Sequence, residues 1–93
     1  FDYKKHLGPD GPLWYRGYFF DNLKEPEIDS ILQKVDVDHI IVGHCTSPRI
    51  VKMYNNKILG VDSNIKSGQY GELLLIENNS FSRLTSYGKK IKL

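Results

Sequence analysis

A chain of 93 residues, 40 % hydrophobic and 26 % charged, describes one ordinary soluble globular domain of modest core. Thirteen basic side chains against eleven acidic ones leave a formal charge of +2, too slight to argue for nucleic acid as a partner. No apolar run approaches the roughly 20 residues that cross a bilayer, so no membrane contact is expected, and a single cysteine excludes an internal disulfide.

The opening segment, Phe1 to Gly11, is polar and leads into Gly8-Pro9-Asp10-Gly11-Pro12. Two X-Pro bonds and two glycines so close together predict an irregular surface loop with no helix. His6 is a candidate metal ligand, although a solvated loop histidine is the commoner outcome. The most aromatic stretch follows, Leu13-Trp14-Tyr15-Arg16-Gly17-Tyr18-Phe19-Phe20. Taken alone it supports two readings equally. In one, the rings are core and rim packing with Arg16 stacked on a ring. In the other, Arg16 binds a phosphate, because its planar fork of donors matches two phosphoryl oxygens, and Gly17 leaves room beside it.

Glu25 to Val35 is the clear amphipathic helix. Pro26 suits a first helical position, Glu25, Glu27 and Asp29 favour the positive end of the helix dipole, and Ile28, Ile31, Leu32 and Val35 fall on one face. That face predicts burial against a sheet, each aliphatic side chain contributing on the order of 1.5 to 3 kcal/mol. The sheet enters at Ile40-Ile41-Val42, a short β-branched run expected to be covered on both faces. It ends in Gly43-His44-Cys45-Thr46. An imidazole at the carboxyl end of such a strand stands where ligands are commonly held, and Gly43 would permit close backbone approach, although a loop histidine satisfied by water is the commoner outcome. Cys45 reads as a small hydrophobe.

Arg49 to Tyr54 and Lys57 to Asp62, joined by Asn55-Asn56, predict a hairpin, since asparagine tolerates positive φ. Asp62 is expected to cap the polar loop that it opens. Glu72 to Glu77 reads as a buried strand, Asn78-Asn79-Ser80 as a turn, Phe81 to Tyr87 as an alternating edge strand closed by Gly88, and Lys89, Lys90 and Lys92 as a solvated end. No repeat or internal domain boundary is evident.

Ile40-Ile41-Val42-Gly43-His44-Cys45-Thr46, the hairpin Ile50 to Asp62, and Gly71 to Asn78 resemble the C-terminal part of the calcineurin-like metallophosphoesterases. Upstream, Leu13-Trp14-Tyr15-Arg16 resembles the Leu-Trp-x-Arg segment of their phosphoprotein-phosphatase-like branch, which includes Shewanella-like and phage lambda-type enzymes. The resemblance implies an α+β chain, mostly strands with one amphipathic helix, forming the C-terminal portion of an α/β/β/α sandwich. It implies phosphate-ester hydrolysis by water activated on two divalent metal ions, manganese, iron or zinc, with His44 ligating one ion and Arg16 holding the phosphoryl group. Substrates of such enzymes include phosphoproteins, small phosphomonoesters and dinucleoside polyphosphates.

The departures are equally informative. The Asp-x-His, Gly-Asp-x-x and Gly-Asn-His motifs of that family are absent, and Cys45 intervenes in its Gly-His-Thr turn. Residues 1–93 are therefore expected to be the C-terminal segment of one catalytic domain, inactive without its missing N-terminal part. A second reading is a non-catalytic β-rich binding module whose aromatic stretch forms a partner surface. A metal site of Cys45, His39 and His44 is disfavoured, because His39 and His44 bracket the strand at odd spacing.

Overall fold

In a computed structural model that describes residues 2–93, the helices are α1 (Tyr3–Leu7), α2 (Gly17–Phe20) and α3 (Glu25–Val35). The strands are β1 (Ile40–Val42), β2 (Val51–Met53), β3 (Ile58–Gly60), β4 (Glu72–Glu77), β5 (Ser80–Thr85) and β6 (Lys90–Lys92). They form two three-stranded sheets, ordered β1-β3-β2 and β4-β5-β6. β1 runs parallel to β3, and every other pairing is antiparallel. The fold class is α+β. The strands divide between two sheets.

The helix α3 forms where its periodicity places it. Ile28 and Leu32 are buried against Ile58 of β3, with Ile31, Ile40, Val42 and Met53 packed around them. Val35 was expected on the same buried face but is 57 % exposed. Eleven helical residues extend about 16 Å, whereas the three-residue strands beneath extend about 10 Å, so the last turn overshoots the sheet. Lys57, at the entry to β3, is held from the first two turns of the helix by Glu25 (2.7 Å) and Asp29 (2.5 Å). Asp36 stops the helix in a left-handed conformation (φ 56°), with its N–H donating to the Gln33 carbonyl and that of Val37 to the Leu32 carbonyl. This is the bonding pattern of a Schellman cap, with aspartate where glycine is usual.

Both asparagine pairs make the turns expected of them. Asn55 and Asn56 have φ 60° and 68°, Asn78 and Asn79 have 47° and 62°, the double positive φ of a primed two-residue hairpin turn.

Four expectations need correction. Tyr3–Leu7 is helical because the prolines constrain only the residues beside them, while Asp2 caps the helix by accepting the N–H of Lys5 at 3.0 Å; Phe1 lies outside the described residues. The strand β1 is not covered on both faces, since Ile41 is 47 % exposed. The strand β4 likewise buries Glu72 while leaving Leu73 and Ile76 exposed. The basic tail is not solvated coil: Lys90–Lys92 pairs with β5, making β5 central and β6 the edge. The reversal between them relies on Gly88 at φ 83° and on Thr85, whose hydroxyl accepts the N–H of Lys89.

The two sheets are tied together by a buried carboxylate. Glu72 opens β4 with its side chain wholly buried. One oxygen accepts the main-chain N–H of Ile50 (2.8 Å), which precedes β2, and the other accepts Arg83 of β5 (2.6 Å) and the Tyr70 hydroxyl. Its own N–H donates to the Ser63 hydroxyl at 2.9 Å. Burial pushes this carboxyl up, yet the Tyr70, Ile50 and Arg83 donors outweigh it and hold the group below the ordinary carboxylate range.

Candidate active-site rim around Trp14

Two loops meet at the carboxyl end of β1. The first is the aromatic segment. Gly11 lets it turn, for an added Cβ there would lie 2.5 Å from the His6 carbonyl oxygen, and its own carbonyl accepts the N–H groups of Trp14 and Tyr15 at 3.1 and 3.0 Å. Phe19, on α2, then reaches across to β3, where a Cβ on Gly60 would stand 2.9 Å from its ring. Tyr18 accepts the Tyr54 hydroxyl on its carbonyl at 3.0 Å. The segment is thus fixed to the sheet by Phe19 and Tyr18, leaving Trp14 half exposed and Arg16 exposed.

Gly17 does not leave room beside Arg16. The space is filled by the Tyr15 ring and the Asp21 carboxylate, whose atoms a Cβ would overlap. Tyr15 donates to Asp21 at 3.3 Å, and burial followed by that carboxylate pushes its phenol up from the ordinary tyrosine value.

The second loop carries His44. The N–H of Cys45 donates to the Gly43 carbonyl at 2.8 Å while His44 has φ 69°. A bond spanning three residues around a central positive φ is a γ-turn of the rarer, strained hand. The strain therefore falls on His44 and not on Gly43, beside which a Cβ would meet nothing within 4 Å. A histidine so held costs on the order of 1 to 3 kcal/mol. The chain leaving the turn is anchored by Asp62, whose carbonyl accepts the N–H of Ser47 (2.9 Å) and whose carboxylate accepts the Thr46 hydroxyl (3.3 Å) and the N–H of Asn64 (3.0 Å). Asp62 caps its loop as expected, and it also anchors the histidine loop, which the spacing of the two residues did not reveal.

Arg16 and His44 meet through one indole. The guanidinium carbon lies 5.6 Å from the centre of the Trp14 ring, and the His44 ring stands edge-on to it at 5.9 Å. Both side chains line a narrow hollow of about 30 Å³ with Leu13, Phe19 and Cys45. On the Arg16 side a larger hollow of about 550 Å³ opens, walled by Trp14, Tyr15 and Phe20 and including Asp10 and Asp21. Arg16 stacks on a ring and is also free to take an anion, since it forms no ion pair among the described residues.

The other histidines stand elsewhere. His39 bonds the Asn56 carbonyl through Nδ1 at 2.7 Å and packs on Phe81, and His6 bonds the Asp2 carbonyl at 2.8 Å. Cys45 is half-buried. Among the described residues no three His, Cys, Asp or Glu side chains converge as a metal cluster would require, so this donor set does not hold an ion by itself; His44 can supply one ligand.

No family model matches the chain, and no curated protein does. Solved structures do. A cold-active protein tyrosine phosphatase determined at 1.1 Å is 46 % identical over 95 % of this chain, with a TM-score of 0.89. The cold-active protein-tyrosine phosphatase of a psychrophilic Shewanella species has the same identity, coverage and score. A mutant of a cold-active protein tyrosine phosphatase is 45 % identical over the whole chain, with a TM-score of 0.91. The chain spans 26 to 28 % of the length of these structures. It therefore has the fold of about a quarter of a phosphatase structure, reproduced over nearly every residue.

Proposed function

We propose that this chain contributes one wall of the active site of a phosphoric-ester hydrolase, Arg16 binding the phosphoryl group and His44 standing beside the attacked phosphorus. The observation that carries this reading is the shared indole: an unpaired guanidinium and a backbone-strained imidazole, both held against Trp14. With its donors not committed to a carboxylate, the Arg16 fork can meet two phosphoryl oxygens. Strain on a histidine in a loop braced by Asp62 is likewise a feature of sites that need fixed geometry. The 45 to 46 % identity to solved phosphatases supports the same class.

The calcineurin-like resemblance adds two divalent metal ions as the source of an activated water. This chain offers that centre the His44 imidazole and no convergent carboxylates, so the remaining ligands must come from outside these residues. What the chain itself does is electrostatic. The Arg16 fork meets two non-bridging phosphoryl oxygens and neutralises charge as it shifts in the transition state, while Trp14 restricts the swing of the guanidinium and narrows the solvent around it.

Among the phosphoesters considered, the hollow beside Arg16 favours a single phosphoryl group on an aromatic body. Trp14, Tyr15 and Phe20 offer ring faces, and Asp10 and Asp21 in the same hollow repel a polyanion. A phosphotyrosyl side chain fits this description, and protein tyrosine phosphatases are the structures matched; a dinucleoside polyphosphate does not fit it.

The test is steady-state hydrolysis of a phosphotyrosyl peptide by the complete gene product. Arg16→Ala is expected to lower kcat/KM by about 10²-fold or more, with Arg16→Lys recovering only part of it because an ammonium cannot bind bidentately. Unchanged kinetics in both variants would falsify the reading.

A further inference from the structure

A second charged surface lies away from this rim. One edge strand of each sheet, β2 and β6, borders an open cleft of about 420 Å³ that contains Arg49, Lys52, Arg83 and Lys92. Arg83 is neutralised by Glu72. Arg49, Lys52 and Lys92 are exposed and form no ion pair among the described residues. No acidic side chain lines the cleft to offset them. The cleft also includes Ile91 and Leu93, both half-buried.

Lysines on outer strands commonly deter edge-to-edge association. That role does not account for Arg49, which precedes the strand, nor for cations from two different sheets turned into one cleft with no acidic side chain lining it. We propose that this cleft binds an extended acidic polypeptide segment, its carboxylates meeting Arg49, Lys52 and Lys92 and its aliphatic side chains covering Ile91 and Leu93. A nucleic acid is the poorer fit. Single strands are held by stacking on aromatic rings, and this cleft has none. The cleft shares no residue with the hollow between Arg16 and His44, so the inference stands or falls independently of the catalytic reading.

Fluorescence anisotropy on the complete gene product tests it, with a labelled octapeptide alternating Glu and Leu, its Lys-Leu counterpart, and an oligothymidylate of equal length as probes. The Glu-Leu peptide should bind saturably and weaken as salt rises, and Lys52→Glu with Lys92→Glu should weaken it by about tenfold or more. Arg49→Glu, a loop substitution made separately, should lower affinity in the same direction, and Arg16→Ala should leave it unchanged. Thermal melting of each variant reports whether the fold is kept. The absence of saturable binding, an affinity indifferent to all three reversals in folded protein, or oligothymidylate binding as tightly as the acidic peptide overturns the proposal.

Discussion

Two charged groups in this chain have opposite surroundings. Glu72 is wholly buried, and its two oxygens are taken by Ile50, Arg83 and Tyr70. Arg16 is exposed, lies over an indole and forms no ion pair among the described residues, while the histidine beside the same indole stands in a strained turn. The first arrangement satisfies every charge internally and joins two sheets. The second holds an exposed guanidinium and a strained histidine against one ring, braced from the sheet by Asp62, Phe19 and Tyr18. The first charge serves the fold, whereas the second is left to solvent and is the one proposed to meet a phosphoryl group.

The comparison breaks most visibly if Glu72 is removed. Glu72→Ala strands a largely buried Arg83 and frees the Ile50 N–H, and unfolding by denaturant should reveal a loss of about 3 kcal/mol or more. Arg16→Ala, by contrast, should change stability by no more than about 0.5 kcal/mol while removing phosphoryl-transfer activity. If the two substitutions destabilise alike, the distinction between the regions is false.

Acid sharpens the same contrast. A folded-state pKa held below the ordinary carboxylate value makes Glu72 stabilising above about pH 4.3, a contribution lost as pH falls further toward the folded pKa. Wild type should therefore lose stability in that window, and Glu72→Gln should lose less of what it has, measured by melting temperature against pH. Tyr70 acts at the opposite end: its hydrogen bond to Glu72 raises its pKa, so its contribution is present below the ordinary tyrosine value and lost as pH rises through the folded one. A far smaller effect is expected at the end of α3. Asp36→Gly relieves a left-handed aspartate and should raise stability by about 0.5 to 1 kcal/mol in chemical denaturation.

Local rules made much of the fold legible. Ile28 and Leu32 announce α3 through their spacing, and Asn55-Asn56 and Asn78-Asn79 announce hairpins through their tolerance of positive φ. What escaped depends on partners distant in sequence. Ile41 looks buried because its neighbours are apolar, yet it faces outward in a three-residue strand. Lys90-Ile91-Lys92 is too short to display alternation and becomes a strand only because β5 offers it a partner. Glu72 leads a leucine run and resembles an ordinary strand end until Ile50, Tyr70 and Arg83 surround it. Motif resemblance singles out Arg16 and His44, whereas the γ-turn at His44 and the anchoring of its loop by Asp62 are not legible in Gly43-His44 alone.

The central claim is that His44 carries strain in return for position, and His44→Gly separates the two. Glycine adopts the turn without penalty, so the variant should melt no lower than wild type, and about 1 kcal/mol more stable on the strain estimate, while phosphotyrosyl hydrolysis by the complete gene product collapses. A variant that keeps its activity, or one that loses stability along with it, would contradict the account.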